Sequence, residues 1–267
     1  MPLVVVPTPI GNLEDITLRA LRSLREADLV ACEDTRRTGR LLTHYEIKKP
    51  LLAYHEHSED RLAPELAERA RTARVALVSD AGTPLVSDPG YRLLRACIEA
   101  GVEVEVLPGP SAIMTALVAS GLPTDVVVFL GFPPRKGRGR KELLERIARE
   151  EATFVLFESP RRLAKTLKEL PTEMPVAVCR ELTKLHEEVF RGRAAVAAEH
   201  FAEGVRGEVV LVVRGGMVEE APDFEEVVER AREYVAQGES PSRAAARAAK
   251  ESGRKRNEVY DWLVKSW

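Results

Sequence analysis

Short, wholly apolar runs recur along this chain, each followed by a stretch with helical spacing, and this rhythm restricts the fold more than any other feature of the sequence. Val75-Ala76-Leu77-Val78, for example, carries no polar residue at alternate positions. A strand without alternation has both faces covered, which is the situation of a parallel sheet held between helices. The same pattern places strands at 3–6, 28–32, 51–54, 75–78 and 103–107, with helices at about 17–26, 36–44, 59–72 and 89–100. The class expected is α/β.

Beyond Pro108-Gly109-Pro110 a helix is expected at 111–120, and the strand 126–130 opens a second α/β half that lasts to about Gly216. Its further strands are expected at 153–158, 175–180 and 208–214. Glu188–Arg193 reads as one arm of a hairpin, so this second sheet is expected to be mixed. Arg214-Gly215-Gly216 and Pro222 then punctuate the chain, and strands give way to an amphipathic helix at 223–236. From Ser240 an alanine- and arginine-rich tail reads as two helices about a Ser252-Gly253 turn, an arrangement similar to a helix-turn-helix. Its basic excess favours nucleic-acid contact, although such helices also serve simply to cap a domain. The organisation expected is an N-terminal α/β domain over 1–113, a second over 114–218 and a helical region over 219–267.

Composition narrows the function classes. The 40 Lys and Arg nearly cancel the 42 Asp and Glu, so any nucleic-acid surface must be local rather than a property of the whole molecule. Three cysteines, at 32, 97 and 179, stand far apart and outside any metal-ligand spacing, which fits a reduced cytoplasm and no metal cage. The opening run has neither a basic leader nor a long apolar core, and no apolar stretch reaches membrane-spanning length.

Ligands of open α/β sheets bind at the carboxyl ends of the strands, so the loops there carry the functional signal. Pro7-Thr8-Pro9-Ile10-Gly11-Asn12 follows the first strand and matches neither the GxGxxG nor the GxxxxGK[ST] phosphate fingerprint. Ser79 to Gly90 is a 12-residue connection of small and turn-forming types, long for a strand-to-helix link, and is expected to approach a ligand closely before a helix capped by Asp88. In Pro108-Gly109-Pro110-Ser111-Ala112, Ser111 can cap a helix whose first amides face a polar ligand.

Charged clusters stand at other strand ends. Glu33-Asp34-Thr35-Arg36-Arg37 reads either as a solvated helix start capped by Thr35 or as a site where Glu33 or Asp34 accepts a hydroxyl proton and Arg36 holds phosphate. His55 in His55-Glu56-His57 offers an imidazole that titrates near neutrality, and two histidines two apart make too few metal ligands, so substrate contact or base is preferred to metal. Arg161-Arg162 is either an exposed helix start or a phosphate contact. The stretch Arg135-Lys136-Gly137-Arg138-Gly139-Arg140-Lys141 has five basic residues in seven and no acid, and its glycines suit a loop that follows a phosphodiester backbone.

Five motifs in register then point further. Pro7 to Ile16, Cys32-Glu33-Asp34-Thr35-Arg36, Val78 to Pro84, Pro108 to Ala112 and Phe157-Glu158-Ser159-Pro160-Arg161-Arg162 together resemble the tetrapyrrole methylase superfamily, the class III fold of S-adenosylmethionine-dependent methyltransferases. Within it they are similar to the small-subunit ribosomal RNA methyltransferase I family, which methylates a cytidine 2′-hydroxyl. The resemblance covers roughly residues 3–216 and the tail. It implies two α/β domains with the cofactor cleft between them, and cofactor contacts from Ile10, Gly82, Thr83, Val86, Ser87, Ala112, Ile113, Phe157 and Ala177. It also implies small-subunit ribosomal RNA or the small ribosomal subunit as partner, and a homodimer. A tetrapyrrole C-methyltransferase is the nearest rival reading, which the basic segments disfavour. A ligand-sensing, nucleic-acid-binding regulator without catalysis is the other.

Overall fold

The first five strands, β1 (Leu3–Val5), β2 (Leu29–Cys32), β3 (Leu51–Ala53), β4 (Val75–Val78) and β5 (Val104–Val106), form one wholly parallel sheet in the order β3-β2-β4-β1-β5. The structure is a computed structural model and describes residues 2–216, 224–252 and 254–265. The absence of polar alternation has its expected cause. Leu3, Leu29, Ala31, Val75 and Leu77 pack on one face against α3 (Glu59–Arg69) and α4 (Tyr91–Glu99). Val4, Val30, Cys32, Ala76 and Val78 pack on the other against α1 (Leu18–Glu26) and α2 (Thr35–His44). The chain leaves β1 for α1 on one face of the sheet and leaves the adjacent β4 for α4 on the other, so the loops after these neighbouring strands part to opposite faces, the arrangement at which such sheets bind ligands.

Helix starts are set by local capping. Thr17 accepts the Ala20 N–H at 3.0 Å, and Ser111 accepts the Met114 N–H at 3.4 Å at the start of α5 (Ala112–Ser120). Two expectations are corrected here. The cap of α2 is Asp34 rather than Thr35, which is already helical. Helix α4 begins after Gly90, at φ 134°, and not after Asp88, because Glu59 reaches across from α3 and accepts the Gly90 N–H at 2.6 Å. Asp88 is thereby left to face elsewhere.

The second sheet is mixed. Strands β6 (Val127–Gly131), β7 (Thr153–Glu158), β8 (Pro175–Arg180), β9 (Glu188–Arg193) and β10 (Val209–Arg214) run in the order β6-β7-β10-β8-β9, with only β6 and β7 parallel. Phe154, Leu156, Val178, Leu211 and Val213 turn toward a core shared with α6 (Arg138–Arg149), α7 (Leu163–Glu169) and α8 (Ala194–His200). The opposite face, with Val155, Ala177, Cys179, Val210 and Val212, packs on Ala116 and Leu117 of α5 and on Ile10. Both sheets thus lie in one compact unit, Met1–Gly215.

Residues Gly216–Trp267 form a second unit. In it α9 (Phe224–Ala236), α10 (Pro241–Ser252) and α11 (Arg256–Lys265) share a core of Val227, Val228, Ala231, Ala245, Ala248, Ala249, Val259 and Leu263. The expected boundary at 218/219, Pro222, the helix start at 223 and Gly253 of the expected turn lie outside the described residues. Among the described residues no helix is long and apolar enough to cross a membrane.

Candidate active site

Three loops are stitched together at the carboxyl end of the first sheet. Thr8 and Gly82 exchange two backbone hydrogen bonds, each of 2.9 Å, and the Thr8 hydroxyl donates to the Ser79 carbonyl at 3.2 Å. The Thr83 hydroxyl donates to the Pro110 carbonyl at 3.2 Å, tying in the third loop. Gly82 has φ 79°, and a Cβ there would stand 3.3 Å from Ile10 Cγ2, so both its conformation and its surroundings call for glycine. Leu85 and Ser87 also hold positive φ, at 72° and 65°, a cost that persists only where surrounding contacts impose it.

These loops and the facing end of the second sheet enclose a cavity of about 480 Å³. Eight of the nine positions expected to contact cofactor line it: Ile10, Gly82, Thr83, Val86, Ser87, Ala112, Ile113 and Phe157. Ala177 is not part of this lining. It is fully buried in β8, one residue pair back from the cavity, where Cys179 reaches the wall instead. Burial pushes the Cys179 thiol up to about 11, which keeps it protonated and inert.

One wall is acidic. Glu33, Asp80 and Asp88 line the cavity together with Arg37. Asp80 accepts the Asp34 N–H at 3.1 Å on one oxygen and pairs with Arg37 at 3.3 Å through the other. Burial, reinforced by the charge of Asp80, raises the Glu33 carboxyl above its ordinary value. Burial also lifts Asp88 to about 6, with the charges of Glu33 and Asp80 adding to it against a hydrogen bond from Ser79.

Asp34, Arg36 and His55 are not part of the lining. Asp34 is occupied as the cap of α2, and its hydrogen bonds with Arg36 hold its carboxyl down at about 2. Arg36 is exposed, and the neighbouring Arg37 stands on the cavity in its place. His55 is exposed beside His57, with ring centroids 6.0 Å apart.

The basic stretch divides in two. Arg135 and Lys136 are exposed, but the stretch expected as a loop is helix from Arg138 onward, with Arg138 paired to Glu142 at 2.6 Å and Lys141 to Glu145 at 3.5 Å. Arg140 is a correction. It is only 5% exposed and donates to Glu169 at 2.7 Å, Thr166 at 2.9 Å and the Pro134 carbonyl at 3.1 Å, so its guanidinium is consumed inside the protein. Arg162 is likewise drawn inward, onto the buried Glu158 at 2.8 Å and the Pro133 carbonyl at 3.1 Å, while Arg161 stays exposed. Sequence reasoning passes over Asp80 and Asp88, which read as loop and cap residues, although both lie within the long loop it singles out. It also passes over Phe132, for which no local motif speaks.

Comparison with known proteins decides the family. The family described as Tetrapyrrole (Corrin/Porphyrin) Methylases matches residues 2–198, and the RsmI C-terminal HTH domain matches residues 221–266. A ribosomal RNA small subunit methyltransferase I from Synechocystis is 44% identical over 97% of this chain and 95% of its own length. The chain belongs to the ribosomal RNA small subunit methyltransferase I family. Another family relative, from Thermotoga maritima, is 47% identical over 80% of this chain and 98% of its own. Among solved structures, a uroporphyrin-III-C-methyltransferase from Thermus thermophilus superposes with a TM-score of 0.58 at 26% identity, covering 81% of this chain and 95% of that one. A cobalt precorrin-4 methyltransferase shares the fold with a TM-score of 0.62 at 21% identity, over 80% and 94% of the two chains. The tetrapyrrole methylase fold is thus shared, while the higher, end-to-end identity lies with the ribosomal RNA enzymes.

Proposed function

We propose that this chain is an enzyme that transfers a methyl group from S-adenosylmethionine to the ribose 2′-hydroxyl of a cytidine in small-subunit ribosomal RNA. One observation carries the reading: the three loop motifs close a single cavity in a chain related end to end to ribosomal RNA methyltransferases. The cavity suits the cofactor. Its volume of about 480 Å³ falls in the range of roughly 300–1,000 Å³ usual for small-molecule sites. Ile10, Val86, Ile113 and Phe157 offer apolar walls for adenine, and the acidic wall favours the positive charges of a sulfonium and an ammonium group.

S-adenosylmethionine, when bound, supplies a methyl group activated by its sulfonium. Glu33 is the residue placed to accept the hydroxyl proton, because it stands on the cavity with its carboxyl raised toward neutrality. Asp88 is a second carboxylate on the same wall. Arg37 holds Asp80 and presents its remaining donors to the cavity, where an RNA phosphate can be met. Exposed Arg135, Lys136 and Arg161 extend the cationic surface, and the helical tail supplies a further RNA contact.

A homodimer in the cytoplasm, with no membrane attachment, completes the reading. It is supported by the exposed stripe of Met114 and Val118 on α5, 57% and 75% exposed, and by the uncovered edge strand β6. The test is incubation with labelled S-adenosylmethionine and either naked small-subunit RNA or assembled small subunits, followed by nucleoside mapping. The expected product is 2′-O-methylcytidine. In a parallel incubation that offers a tetrapyrrole as acceptor, label on a ring carbon instead favours the C-methyltransferase rival, and no transfer to any acceptor favours the regulator.

A further inference from the structure

We infer that Phe132 is the platform of a nucleobase subsite at the mouth of the cavity, on which the base of the nucleotide to be methylated stacks once it has left its neighbours in the RNA. The inference deepens the proposed RNA methylation and rests on it. Strand β6 runs in register with β7 only as far as Phe129 opposite Val155, then the register shifts between Phe129 and Gly131, where φ is 62°. A bulge of this kind re-aims the side chains that follow, and bulges concentrate beside active sites. Here it delivers Phe132 to the cavity lining with the residue still 59% exposed.

The ring is supported from one side. Its centroid lies 5.5 Å from that of Phe157, which in turn meets Phe129 edge-on at 5.1 Å. The backbone just after it is held by two inward-turned arginines, Arg162 on the Pro133 carbonyl and Arg140 on the Pro134 carbonyl, each at 3.1 Å. Methylation of a ribose hydroxyl inside a cavity requires the nucleotide to enter it, which sacrifices base stacking in the RNA. Aromatic side chains restore that stacking for unpaired RNA bases, and every base has a face that can use them. Arg135 and Lys136, exposed three and four residues on, stand ready for the adjoining phosphates.

The test measures methyl transfer to small ribosomal subunits carrying unmodified RNA, with S-adenosylmethionine affinity and thermal unfolding followed in parallel. Phe132→Ala and Phe132→Leu are expected to lower kcat/KM for the RNA by about 5- to 150-fold, the range of one base–aromatic stack, while Phe132→Trp and Phe132→Tyr stay near the parent. Cofactor affinity and melting temperature are expected to be unchanged. Rescue by aromatic residues but not by leucine is what packing alone does not produce. If leucine serves as well as phenylalanine, or if cofactor affinity falls by the same factor as kcat/KM, the subsite is refuted and the ring is a wall of the cofactor site. A parent protein that methylates no RNA overturns the functional reading and this inference together, whereas normal transfer by all four variants overturns this inference alone.

Discussion

The carboxylate of Asp34 accepts the backbone N–H of Arg36 at 2.8 Å and pairs with the guanidinium of the same residue at 2.9 Å. A carboxylate so engaged is a helix cap and a weak base, whereas Glu33, one residue earlier, lines the cavity alongside Asp80 and Asp88. Asp34→Asn keeps the capping oxygen and is expected to transfer methyl near the parental rate. Glu33→Gln is expected to slow single-turnover transfer by about 10²–10⁴-fold, the usual contribution of a general base. Equal rates for Glu33→Gln and the parent would remove Glu33 as the base, and equal rates for Glu33→Gln combined with Asp88→Asn would show that alignment carries the reaction without either carboxylate.

Asp88 gives stability a pH dependence of definite sign. Its carboxyl rises from an ordinary 3.8 to about 6 on folding, chiefly through burial. The folded protein therefore binds this proton more tightly than the unfolded chain does. The associated stability is fully present below about pH 4 and is lost as pH rises through about 6. Glu33, shifted in the same direction, adds to the trend. Urea unfolding between these limits should show stability falling with pH in the parent and a shallower fall in Asp88→Asn, which cannot ionise.

Gly82 is constrained twice over, by φ 79° and by the 3.3 Å that a Cβ would leave to Ile10. Gly82→Ala is expected to lower stability by about 1–2 kcal/mol, the cost of a left-handed backbone for a residue with a Cβ. It should also displace Ile10 from the cavity wall and weaken S-adenosylmethionine binding. Thermal unfolding and calorimetry check the two effects separately, and an alanine variant with parental values in both would show that the loop relaxes freely.

The fold is legible in the sequence because its signals are local. Apolar runs such as 75–78 and the spacing of Leu62, Leu66 and Ala67 encode which faces are covered, and the structure buries those residues. The loop motifs are legible as well, since small residues and prolines concentrate where three connections meet. Pairing at a distance is not. Arg140 and Arg138 look alike in sequence, yet only Arg140 meets Glu169, which is 29 residues away. Asp88 looks like a cap because the competing cap, Glu59, lies 31 residues before Gly90. Phe132 is one aromatic among seven phenylalanines, and its exposure follows from a bulge that no short motif announces.

That difference between Arg140 and its neighbours yields the sharpest separation of structure from binding. Arg140→Ala strips partners from Glu169, Thr166 and the Pro134 carbonyl, and should cost on the order of 2–3 kcal/mol of stability because several hydrogen bonds to a buried charge disappear at once. Arg138 and Lys141 make exposed pairs within one helix, and such pairs contribute about 0–1 kcal/mol. Replacing Arg135, Lys136, Arg138 and Lys141 by alanine should therefore leave the melting temperature almost unmoved. The same set should weaken RNA binding and flatten its dependence on log salt by about 0.7 for each single-strand phosphate that is no longer neutralised. Arg140→Ala, measured below its own melting transition, should keep the parental salt slope. A reduced slope for Arg140→Ala with an unchanged slope for the exposed set would invert the assignment and place the RNA backbone on the inward side of α6.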